Sequence, residues 1–129
     1  MQDQPGPHEI LTAVAAFLRD VVVPESLPRT AFQARVAANA VDLVRRQILL
    51  GPASDEAEKA SLARLLGEEL SLADANAALA ARIADGTLDA STAGVKEHLR
   101  KTTLAKLAVD QPTYSGYRAA LADAPAAKD

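Results

Sequence analysis

The sequence predicts an all-α domain of five to six helices packed, orthogonally or as a bundle, around a central second helix. Three observations carry that prediction. Hydrophobic residues make up 49% of the chain but aromatics only 3%, so the core must be assembled from Leu, Val, Ile and Ala. Alanine has the highest helix propensity, whereas aromatic and β-branched residues favour strands. Apolar residues also recur at spacings of three and four, and Pro and Gly fall at intervals that suit helices. At 129 residues the expectation is one domain, 1–129, with an ordered core of about 7–122 and a frayed tail at 124–129.

The first helix is expected from Pro7 to Val23. Proline at the first helical position costs no useful N–H, and Ile10, Val14, Phe17, Leu18 and Val21 share one face. Pro24-Glu25-Ser26-Leu27-Pro28 should end it. The second helix, Thr30 to Leu50, opens with Thr30 and Gln33 in capping-box spacing. Phe32, Val36, Ala40 and Leu43 form one row, and Ala37, Val41, Val44 and Ile48 an adjacent one. Apolar over about half its circumference, wider than the ordinary stripe, this helix is expected to pack against several others. Gly51-Pro52 should stop it.

A third helix is expected from Ser54, as N-cap, to Leu66. Asp55, Glu56 and Glu58 complement its dipole, Leu62, Leu65 and Leu66 face inward, and Gly67 provides the C-terminal cap. The fourth spans Ser71 to Asp85 with Leu72, Leu79 and Ile83 as its stripe and Gly86 as its end. Asn76 sits inside that stripe and should bond to a neighbouring element. The fifth, Ala90 to Val109, has a stripe interrupted by Thr102, Thr103 and Lys106, which predicts a kink or register shift near Thr102. A short helix at Tyr114–Ala122 completes the chain, its tyrosines sealing it onto the rest.

Net charge is −3 and the isoelectric point near 5.3, which argues against nucleic acid as partner. No cysteine is present, so disulfides, thiol catalysis and cysteine-ligated metals are excluded. No apolar run spans a bilayer, and Met1–Pro7 does not resemble a signal peptide; the expected location is the cytoplasm. Phosphate loops, zinc-protease, calcium-loop and serine-hydrolase motifs are all missing. No catalytic residue, metal site or cofactor is therefore expected.

Candidate ligand contacts remain. Arg35, Asn39, Asp42 and Arg46, spaced four, three and four, line one edge of the second helix. That edge is either a polar groove holding an anion or a partner's carboxylates, or an intrahelical Asp42–Arg46 pairing of little energetic weight. His98 and Arg100, in the basic stretch Lys96–Lys101, are the candidates on the fifth helix.

Arg35-Val36-Ala37-Ala38-Asn39-Ala40, preceded by Arg29-Thr30-Ala31-Phe32 and followed by Leu50-Gly51-Pro52, Leu65-Leu66-Gly67 and His98-Leu99-Arg100, resembles an uncharacterised bacterial helical family of domains of unknown function. The resemblance covers about residues 7–117. Members typically occur beside or fused to phosphotransferases of the aminoglycoside/choline-kinase type, with acyl-CoA dehydrogenase-like proteins often nearby. It implies an accessory role with such an enzyme, on a separate polypeptide, and supplies no mechanism. Two functions are thus expected. One is a non-catalytic interaction module binding a partner or a second copy of itself; the other is a small-anion-binding protein, or an enzyme of unfamiliar type, using the polar edge of the second helix.

Overall fold

The computed structural model describes residues 4–123. Those residues are helical with short connections and contain no strand, so the fold is all-α. The predicted tail at 124–129 lies outside the described residues. Two compact units divide the chain, one up to Gly51 and one from Pro52 onward.

In the N-terminal unit α1 (Pro7–Phe17) passes into a π-helical turn, Leu18–Val22, and a single turn α2 (Val23–Glu25). The start at Pro7 and the stop before Pro28 match the punctuation. Helix α3 begins at Pro28, two residues before the predicted cap at Thr30. Its first bond runs from the Ala31 N–H to the Leu27 carbonyl at 2.9 Å, so Thr30 lies inside the helix and its capping box does not form. Proline at the first position, with φ already helical, nucleates the turn earlier than the hydroxyl would.

The principal correction concerns Gly51-Pro52. Rather than two helices, α3 is one helix of 39 residues, Pro28–Leu66, with Pro52 inside it. Proline removes one N–H and so leaves the Ile48 carbonyl without its helical donor. The residue before a proline is pushed from helical geometry partly by its own Cβ, and Gly51 has none. Helix-forming Leu and Ala, with Glu and Lys, flank the pair, so propagation outweighs the single lost bond. Ser54 is consequently mid-helix and caps nothing.

In the C-terminal unit the end of α3 matches expectation. Gly67 takes φ 75° and its N–H reaches the Ala63 carbonyl at 2.9 Å, a left-handed closure that a side chain would strain. Arg82 of α4 (Leu72–Ala84) donates to the Leu66 carbonyl at 3.0 Å and to Glu68 at 2.8 Å, which satisfies an orphan acceptor of that terminus. Ser71 caps α4 by accepting from the Asp74 N–H at 3.1 Å. Leu62, Leu66, Ala75 and Leu79 form the core, with Leu70, Leu72, Ala78 and Leu88 against it.

Helix α5 is Val95–Asp110, five residues shorter at its start than predicted. The Asp89 carboxylate accepts from the N–H groups of Ser91 at 2.7 Å and Thr92 at 3.1 Å. This local bonding holds 89–94 as a turn in competition with helix. No kink interrupts α5 at Thr102, which sits half-buried within one continuous α-helix. Helix α6, Ser115–Ala122, ends the described chain. Tyr117 is half-buried and Tyr114 exposed, so only Tyr117 contributes to packing.

Candidate functional site

The polar edge predicted on the second helix is organised by a residue from another element. Arg19, on the π-helical turn, places one guanidinium nitrogen 2.6 Å from Asp42 Oδ2 and donates to Asn39 Oδ1 at 3.0 Å. Asp42 also forms an ion pair with Arg45 at 3.4 Å. Asn39 and Asp42 are therefore brought together, but as a clasp between the first helical segment and α3. Asp42 thus pairs with Arg19 from the π-helical turn and with Arg45 on its own helix. Arg35 is exposed and Arg46 half-buried. Spacing within one helix cannot announce a cation that arrives from a different one, so Arg19 and Arg45 were missed.

The apolar rows read from the sequence are present, but they do not form the core of their unit. The buried residues there are small: Ala15 of α1 and Ala31, Ala34 and Ala38 of α3. Ile10, Val14, Phe17 and Val21 all face water, as do Phe32, Val36, Leu43, Val44 and Ile48, with Phe17 56% and Phe32 64% exposed. On α3, at about 100° per residue, Phe32, Val36 and Leu43 fall opposite Ala34 and Ala38. The expectation that the apolar rows of this helix pack against several others is corrected within this unit: Ala31, Ala34 and Ala38 are covered, while Phe32, Val36, Leu43, Val44 and Ile48 stay exposed. Periodicity identifies an apolar face without saying what covers it.

In the C-terminal unit His98 is 2% exposed, the one buried polar or charged residue among those described. Its Nδ1 lies 2.9 Å from Ser61 Oγ, a hydrogen bond that joins α5 to α3. Its Nε2 is buried with no partner among the described residues. Burial pushes the imidazole below its ordinary pKa; the Glu58 carboxylate opposes this and Lys106 adds to it. A cleft of about 430 Å³ opens beside the ring. From α3 it is lined by Ala53, Ala57, Glu58, Ser61 and Arg64, and from α5 by Lys101 and Thr102. Alanines on α3 and Ala105 on α5 leave this space unfilled. A second cleft of about 380 Å³ shares Ser61, Arg64, His98 and Lys101 with the first.

Asn76 behaves as its place in the α4 stripe predicts. Its amide donates to Glu58 at 2.8 Å and to the Leu72 carbonyl at 3.1 Å, so one lining carboxylate is held from α4. Arg100 points elsewhere and donates to the Ala120 carbonyl at 3.1 Å, tying α5 to α6. Of the sequence-predicted contacts, His98 lines both of these clefts of the C-terminal unit. Ser61, Glu58 and Arg64 beside it were missed. The signal that marks them is small residues at 53, 57 and 60, which leave room between two helices.

Among the described residues no group of three or more His, Asp or Glu side chains is placed to hold a metal ion, and no helix is long and apolar enough to cross a membrane. A domain family of unknown function, DUF6285, matches residues 24–114. The chain belongs to this family. The DUF6285 match takes in α3, α4 and α5 whole, and with them both the exposed rows of α3 and the His98 cleft. No curated protein and no solved structure matches the chain.

Proposed function

We propose that this DUF6285 protein is a non-catalytic accessory module that docks onto a partner protein through the exposed apolar rows of its N-terminal unit. The observation that carries this reading is the exposure of nine large apolar side chains: Ile10, Val14, Phe17 and Val21 before Ser26, and Phe32, Val36, Leu43, Val44 and Ile48 among those on α3. Their exposed parts, on the order of 80 Å² each, sum to roughly 700 Å² of apolar surface, the kind of surface that marks protein–protein interaction sites. That is about one partner's share of a standard protein–protein interface. Between Phe32 and Leu50 the rows carry no charge, so recognition would rest on apolar complementarity.

The family resemblance supplies the class of partner: a phosphotransferase of the aminoglycoside/choline-kinase type, or an acyl-CoA dehydrogenase-like enzyme, in the bacterial cytoplasm. Co-expression with each such enzyme encoded beside it, followed by affinity purification, tests the proposal. Near-stoichiometric recovery with the native chain, and its loss with Val36→Asp or Phe17→Asp, is the expected result. Equal recovery with native and substituted chains would overturn docking by this face.

A further inference from the structure

We infer that the cleft between α3 and α5 binds a small organic oxyanion, a carboxylate or phosphate group carried on a short apolar body. This goes beyond the docking proposal and rests on the other unit of the chain. The two adjoining clefts share four residues, Ser61, Arg64, His98 and Lys101. Each of the four has a hydrogen-bond donor, and two are cations, so this shared wall is suited to negatively charged oxygen.

Arg64 carries the strongest part of the inference. It is exposed, lines both clefts, and makes no hydrogen bond or ion pair among the described residues. Its planar donor fork matches a carboxylate or phosphate edge. Lys101 is already paired with Glu97 at 2.6 Å, but both side chains are about 70% exposed, so the pair is weak and exchangeable. His98 supplies the second independent feature. When the Ser61 hydroxyl donates to Nδ1, the neutral ring carries its proton on Nε2, a buried donor with nothing to bond. An unpaired buried donor is costly, and an oxyanion would relieve that cost. Nε2 has no open surface, so a ligand that reaches it displaces a side chain of the cleft wall.

The remainder of the larger cleft defines the body of the ligand. Ala53, Ala57, Ala60 and Ala105 line it, which suits a few methylene groups and offers nothing to a second charge. Glu58 also lines it, on a different flank of α3 from Arg64. With one oxygen accepting from Asn76, it disfavours dianions that extend along the cleft and favours a single charged end.

Titration of the histidine-¹⁵N-labelled full chain, at constant ionic strength, with inorganic phosphate in one series and butyrate in another, tests the inference. Saturable movement of the His98 ring signals with either probe is expected, and the probe that binds more tightly identifies the group. Arg64→Ala, at an exposed position that makes no hydrogen bond among the described residues, should keep the fold by circular dichroism. It should weaken binding about tenfold or more, the factor expected for losing one charge-assisted hydrogen bond, and Arg64→Lys should restore part of that loss. Absence of a saturable His98 response to both probes, or unchanged affinity in Arg64→Ala, would overturn it.

Discussion

Ser61 Oγ and His98 Nδ1, separated by 37 positions in sequence, lie 2.9 Å apart and join α3 to α5 inside the C-terminal unit. The bond leaves the imidazole buried and neutral. In the folded chain its pKa is below the ordinary value, through burial first, with Glu58 opposing and Lys106 adding. Arg64 and Lys101 line the same clefts as the ring, with Glu97 in the second. The unfolded chain therefore takes up the proton at higher pH than the folded one, and stability falls as pH drops from about 6.5.

The urea midpoint should accordingly be lower at pH 5.5 than at pH 7.5. His98→Gln should remove most of that difference. Asp85, Asp89 and Glu97, whose carboxyls are held below the usual range by Thr87, Ser91 and Lys101 respectively, contribute stability lost only at still lower pH. A midpoint independent of pH between 5.5 and 7.5 in the native chain would contradict the burial of a neutral ring.

Apolar residues should differ sharply by unit. Leu62 is fully buried in the C-terminal core, and Leu62→Ala should cost about 2–5 kcal/mol. Val36→Ala, at a position 52% exposed on the open face of α3, should cost less than about 1 kcal/mol in the isolated protein. Chemical denaturation of both variants settles the contrast; comparable losses would mean that the α3 rows are covered in solution.

The clasp of Arg19 on Asp42 should be measurable as a coupling. Arg19 is 40% and Asp42 17% exposed at the side chain, so water screens the pair in part. A double-mutant cycle of Arg19→Ala and Asp42→Ala should give a coupling of about 0.5–1 kcal/mol, reduced at high salt. Zero coupling would show that the contact carries no energy.

Pro52 offers a gain of stability. Alanine there would restore a donor for the Ile48 carbonyl and relieve the ring's crowding. The difference in helix propensity is about 3 kcal/mol, offset by up to about 1 kcal/mol from the freer unfolded chain. Pro52→Ala should therefore raise stability by about 2 kcal/mol. A lower melting temperature than the native chain's would mean that the Pro52 ring itself makes contacts that alanine loses.

The sequence by itself determined what depends on neighbours along the chain: the all-α class, the closure of α3 at Gly67, the Ser71 start of α4, and the apolar rows on the first helix and α3. Propensity, caps and periodicity are properties of one helix at a time. Where two local signals competed, sequence reasoning misjudged the balance: Gly51-Pro52 looked like a stop, and propagation from both sides carried the helix through. Only the tertiary structure decided which faces are covered, because burial depends on what lies opposite. It turned Ala34 and Ala38 inward and left Phe32 and Val36 in water. It brought Arg19 to Asp42, and it set Ser61 and Arg64 beside His98 across a gap that three alanines of α3 leave open. Each of these is a contact between residues distant in sequence, and no spacing within a helix encodes it.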